Sequence, residues 1–242
     1  MPPPRPHKTP HQALVLFDID GTLVRRAGSQ HREALVAAVW EVLRVETRND
    51  NLPVHGMLDP DILVQMMTNA GVSGRRARAA LPAIYRSAER YYVSTAPDLR
   101  NKACPGIPAL LQTLAGAGAA LALVTGNLTR IGWKKLERAG LEDYFRFGAF
   151  GEMAPTRGEL VGLALAHARQ HGWINSRTRC ALVGDTPKDV AAGQSHGIET
   201  ISIATGLSSL EELEAARPTL CAPDLTHASV HQWVADLAAS AR

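Results

Sequence analysis

The five residues Asp18-Ile19-Asp20-Gly21-Thr22 follow directly on an apolar run, Ala13 to Phe17. In extended chain, residues two apart point the same way, so both carboxylates leave one strand end together. Gly21 permits the sharp turn that comes next. Two close carboxylates repel unless a cation or a shared proton lies between them. The arrangement suits a hard metal ion, with one carboxylate free to attack and the other to move a proton. The competing reading is a solvated acidic turn. Two further apolar runs end in polar groups. Leu123-Val124-Thr125-Gly126-Asn127 offers a hydroxyl, and backbone N–H groups at Gly126 and Asn127, to a phosphate oxygen. The same residues would serve as the N-cap of a following helix. Val183-Gly184-Asp185-Thr186-Pro187-Lys188-Asp189 sets Asp185 at another strand end. Pro187 and Asp189 fall in the first turn of the next helix. Capping alone accounts for each acid in isolation; two acidic strand ends in one chain weaken that account.

These groups need a scaffold that delivers strand ends to one edge. The run at residues 13–17 is apolar without alternation, as in a parallel strand buried on both faces. Similar runs stand at residues 120–124, 180–183 and 199–203, with weaker ones at 147–150 and 219–222. Helical patterns lie between them, at residues 108–115, 129–139, 158–171 and 187–195. Strand alternating with helix implies an α/β fold, a Rossmann-like parallel sheet with helices on both faces. Ligands of such sheets bind at the carboxyl ends of the strands. Residues 24–102 break the rhythm: they contain helical patterns at 30–45, 62–70 and 76–95, the last interrupted by Pro82, and no convincing strand. Asp59 reads as an N-cap followed by Pro60. The expected organisation is a loose tail at 1–12, a core at 13–23 and 103–242, and a helical cap at 24–102.

With these motifs, from about Leu14 to about Trp233, the chain resembles the haloacid dehalogenase superfamily, in its phosphoglycolate phosphatase-like branch with a helical cap. The resemblance implies that Asp18 attacks phosphorus to form an aspartyl-phosphate, and that Asp20 protonates the leaving oxygen and then activates water. It implies that Thr125, with Gly126 and Asn127, binds phosphate, and that Asp185 holds magnesium while Asp189 orients the site. Magnesium prefers oxygen ligands and few carboxylates, which fits Asp18, Asp185, the carbonyl oxygen of Asp20 and water. The chain departs from the family at the lysine usual before Gly184-Asp185. Lys134 and Lys135 are the only lysines in that interval and come too early. Arg157 sits where the lysine belongs; always charged, it grips phosphate oxygens through two N–H groups.

The remaining features narrow the classes. The chain of 242 residues is 45% apolar and 20% charged with a formal charge of +3, an ordinary globular composition. Basic residues are scattered and aromatics few, so no nucleic-acid platform is expected. Cys104, Cys180 and Cys221 lie far apart, which suggests thiols in a reducing cytoplasm. No membrane span or signal peptide is read. His31, His55 and Arg75 read as solvated cap residues. Asp20 argues against a dehalogenase, whose second motif position needs no acid. The absence of lysine between Val24 and Asn101 argues against a Schiff-base phosphonatase. A sugar-phosphate mutase and a catalytically silent phosphate-binding protein remain as alternatives to a phosphatase acting on a small phosphorylated metabolite. No partner protein and no oligomeric state are specified.

Overall fold

The computed structural model describes residues 11–25, 27–48, 52 and 54–239. All six expected strands are present: β1 Ala13–Phe17, β2 Ala120–Val124, β3 Gly148–Ala149, β4 Arg179–Gly184, β5 Glu199–Ile203 and β6 Leu220–Ala222. They form one sheet in the order β3-β2-β1-β4-β5-β6, parallel throughout. The chain therefore runs outward from β1 in one direction and from β4 in the other. The crevice between β1 and β4 is the switch point where open α/β sheets bind ligands. In register, Phe17 lies beside both Leu123 and Val183. The residues that follow these three strands are thereby brought level.

Alternation sends the side chains of β1 to two faces. Ala13, Val15 and Phe17 join a core with Leu121, Leu123, Val183 and helices α4 (Ala109–Gly116) and α9 (Ala228–Ala239). Leu14 and Leu16 join the opposite core with Val124, Leu182 and helix α6 (Arg157–Gln170). Every residue of β1 and β2 is buried, which is why neither strand alternates in sequence. Helices α5 (Thr129–Ala139) and α7 (Pro187–Gln194) follow β2 and β4. Ser209 and Glu212 form a capping box that opens α8 (Leu210–Ala215), a helix not anticipated above.

Between β1 and α4 run α1 (Gln30–Leu43), α2 (Asp59–Asn69) and α3 (Gly74–Thr95). They share a core of their own, including Leu35, Leu63, Met67, Ile84 and Tyr92, which extends onto Leu128 and Ile131 at the start of α5. Two expectations need correction. Helix α3 runs through Pro82 without a break. Pro82 and Arg78, whose carbonyl loses its N–H partner, both face solvent, while Ala77, Ile84 and Ala88 anchor the helix on either side. Asp59 is the first helical residue of α2 and Leu58 is the cap; the carboxylate is engaged elsewhere. The expected tail lies outside the described residues up to residue 10. His11 donates to the Trp173 carbonyl at 2.7 Å. Among the described residues no helix is long and apolar enough to cross a membrane.

Candidate active site

Asp18 continues the ladder one step past β1, its N–H donating to the Val183 carbonyl at 3.0 Å. Its carboxylate meets those of Asp185, from the end of β4, and Asp189, from the first turn of α7. Their oxygens lie within 4.8 Å of one another, all buried. Asp185 is 1% exposed. Its hydrogen bonds are long, 3.5 Å from the Thr22 hydroxyl and 3.3 Å from His55 Nε2. Glycine is required on both sides of it. A Cβ at Gly21, where φ is +85°, would lie 2.2 Å from Asp185 Oδ2, and one at Gly206 would lie 1.6 Å away. Asp189 is fully engaged, accepting from Arg157 at 2.7 Å and from the Thr186 hydroxyl at 2.7 Å.

Burial pushes the Asp18 carboxyl up to about 7, against the pull of Arg157 and with the repulsion of Asp189 and Asp185. Burial raises Asp185 as well. Two buried acids with weak partners, an all-oxygen donor set and excess negative charge fit a small hard cation such as Mg2+. Without one, the folded protein takes up a proton that the unfolded chain, at the ordinary 3.8, does not hold. Between these values stability falls as pH rises, because the native state binds more protons. We expect the melting temperature of Asp18→Asn in EDTA to gain on wild type steadily from about pH 4 to about pH 7. A constant difference across that range would contradict the assignment.

Arg157 is the first residue of α6, held there by a capping box in which Thr156 and Glu159 exchange hydrogen bonds. Only 8% exposed, its Nη1 lies 3.3 Å from Asp18 Oδ1 and 2.7 Å from Asp189 Oδ1. Burial works against its charge, but Asp189 and Asp18 outweigh it and raise its pKa further, so it stays cationic. Its Nε–H is buried with no partner among the described residues.

Asp20 faces the other way. Its carboxylate accepts from Lys135 Nζ at 2.7 and 2.6 Å and from Asn127 Nδ2 at 2.8 Å. Burial opposes its charge, yet Lys135 and Asn127 hold it below the ordinary carboxylate value. Asn127 Nδ2 also donates to the buried Thr125 hydroxyl at 2.7 Å. Asp18, Asp20, Thr125, Gly126, Asn127 and Arg157 line one cavity of about 210 Å³, with His31, Leu35, His55, Met57, Asp59 and Ile62 facing them from the helical segment. The two parts meet closely. Asp59 N donates to the Gly126 carbonyl at 2.8 Å, and a Cβ at Gly126 would lie 2.4 Å from the Met57 carbonyl oxygen.

The structure thus brings together every residue singled out at the strand ends, and Arg157 with them. Three readings are corrected. His31 and His55 are half-buried and engaged rather than freely solvated: His31 bonds Asp59 at 2.9 Å, and His55 bonds Asp185. Lys135 is 1% exposed and sits on Asp20, although its sequence position had set it aside. A signal existed, since Ile131, Gly132, Leu136 and Ala139 form the buried face of α5 and Lys135 falls among them. The carboxylate of Asp20 does not stay beside that of Asp18, as two residues of one extended strand end would, but turns to Lys135 and Asn127, away from the cluster of Asp18, Asp185 and Asp189. Arg75 is exposed, as expected.

A family model for haloacid dehalogenase-like hydrolases matches residues 15–194, and the chain belongs to that family. It is similar to a 5'-nucleotidase of Pseudomonas aeruginosa, 27% identical over 223 residues that cover 87% of this chain and 91% of the relative. It is 25% identical over 214 residues to a phosphoglycolate phosphatase of Chromobacterium violaceum, covering 85% and 90%. The crystal structure of β-phosphoglucomutase from Clostridium difficile has the same fold, with a TM-score of 0.68 at 17% identity over 92% of this chain and 96% of that one.

Proposed function

We propose that this chain is a Mg2+-dependent phosphatase that hydrolyses a small phosphorylated metabolite in the cytoplasm through an aspartyl-phosphate on Asp18. The observation that carries the reading is the convergence of Asp18, Asp20, Thr125 and Arg157 on one cavity, beside a buried acid cluster that wants a cation. Residues 24–102 would act as a cap over the core at 13–23 and 103–242. Phosphatases among the relatives support the reaction class, and three unpaired cysteines suit a reducing compartment.

Asp18, Asp185 and the Asp20 carbonyl would hold the ion with water, and Asp189 would orient the cluster. The ion would neutralise charge on the phosphoryl oxygens. Thr125, the N–H groups of Gly126 and Asn127, and the spare Nε–H of Arg157 would bind those oxygens. An Asp18 oxygen attacks phosphorus as the ester P–O bond breaks, and Asp20 hands a proton to the departing oxygen. Because Asp20 is held ionised at rest, that proton enters with the ester monoanion, whose second ionisation lies near pH 6. Asp20, again a carboxylate, takes a proton from water, which attacks phosphorus and frees Asp18 and inorganic phosphate.

Hydrolysis of p-nitrophenyl phosphate should require Mg2+ and stop in EDTA. Indifference to both, or no turnover with Mg2+, would sink the proposal. Release of inorganic phosphate from a panel of phosphorylated metabolites separates a phosphatase from a mutase, which moves phosphate within its substrate.

A further inference from the structure

Lys135 is a lysine with no route to solvent. It is not among the residues lining the cavity, and its ammonium group has donors only. Every contact it makes is therefore a donation: to Asp20 Oδ1 and Oδ2 at 2.7 and 2.6 Å, to Asn127 Oδ1 at 2.7 Å and to His31 Nδ1 at 3.1 Å. Three N–H groups meet three residues, and none is left for a substrate. With Nδ1 of His31 accepting, its Nε2 carries the proton and donates to Asp59 Oδ2 at 2.9 Å. The same Asp59 oxygen accepts from the Leu128 N–H at 2.8 Å. An unbroken line of hydrogen bonds thus runs from Asp59 on α2, through His31 on α1 and Lys135 on α5, to Asp20.

We infer that Lys135 is a positioning residue that fixes the carboxylate of Asp20 toward the leaving oxygen, and that His31 and Asp59 of the helical segment lock it there. The inference rests on the proposed role of Asp20 as the acid. Asp20 is 45% exposed at its side chain while Lys135 is 1% exposed, so one carboxylate opens on the cavity and the lysine behind it holds both its oxygens. A carboxylate held at both oxygens, with Asn127 donating as well, has little freedom to swing. Proton transfer to a poor leaving group depends on that alignment. Lys135 itself does not line the cavity and acts only through Asp20.

The leaving group separates this role from that of a plain structural ion pair. An alkyl ester needs the proton from Asp20; a dinitrophenyl ester, whose phenolate leaves readily, does not. The first turnover is followed by rapid quench in wild type, Lys135→Met and Asp20→Asn with glycerol 2-phosphate and 2,4-dinitrophenyl phosphate, in Mg2+. Lys135→Met should slow cleavage of the alkyl ester about 100-fold and of the dinitrophenyl ester less than about fivefold, a fainter copy of Asp20→Asn. His31→Leu, which leaves Lys135 on Asp20 but removes its link to Asp59, should show the same split at about tenfold, and it carries the test should Lys135→Met fail to fold. Equal losses with both esters, or no loss with either, in the folded variants would overturn the inference. A wild-type enzyme idle on both esters would overturn the phosphatase reading, and the inference with it.

Discussion

Asp18→Asn is expected to lower turnover by more than about 10⁴-fold, as loss of a covalent nucleophile does elsewhere. The amide keeps the shape of the carboxylate and still offers Arg157 an oxygen, but it cannot attack phosphorus. Nothing else at the end of β1 replaces it: Asp20 is tied to Lys135 and Asn127, and Asp185 belongs to the end of β4, its carboxylate lodged against Gly21. The fold should not suffer. Asp18 is a buried acid whose charge the metal-free protein already resists, so a neutral amide relieves repulsion among three carboxylates. Steady-state kinetics with p-nitrophenyl phosphate, read beside a melting curve, check both halves. Activity within about tenfold of wild type would remove Asp18 from the reaction.

Arg157→Ala should lower kcat/KM by about 10²- to 10³-fold, the loss of roughly 3–4 kcal/mol expected when a desolvated charge contact is removed. It should also destabilise the protein, unlike Asp18→Asn. Asp189 is 2% exposed and would keep only Thr186 as a partner; breaking a buried pair from one side costs about 3–5 kcal/mol. Arg157→Lys should recover part of each loss, because it restores the positive charge on a differently shaped stem without the fixed donors of the guanidinium, the Nε–H included. The competing view gives this task to a lysine. The three lysines that could rival it are engaged elsewhere. Lys134 pairs with Glu137, Lys135 with Asp20, and Lys188 donates to the His55 carbonyl at 3.1 Å. Near-normal kinetics in Arg157→Ala, with collapse in one of those lysine variants, would reverse the assignment.

What was legible in sequence had local causes. β1 and β2 are buried on both faces, so their runs are apolar without alternation, and the polar residue that ends each run marks the rim of the sheet. Arg157 was legible by spacing, in a region where a cation is needed and no lysine stands. The histidines of the helical segment were not, because their partners are remote: His31 meets Asp59 across 28 residues and His55 meets Asp185 across 130. Composition cannot distinguish such a histidine from a solvated one. Lys135 was passed over because it comes too early in the chain for the family's lysine, although it lies on the buried face of α5 while Lys134 pairs with Glu137. Pro82 misled in the other direction, because a break in the hydrogen-bond ladder is tolerated where the helix faces water.

The central claim is that phosphate passes through Asp18. The direct measurement is mass spectrometry of wild-type enzyme mixed with 2,4-dinitrophenyl phosphate and Mg2+ and quenched in acid within the first turnover. One phosphoryl group should appear on the peptide that contains both Asp18 and Asp20, with fragment ions assigning it to Asp18, and it should be missing from Asp18→Asn. A phosphoryl group on Asp20, or phosphate release at full rate with no protein adduct at any quench time, would contradict the account.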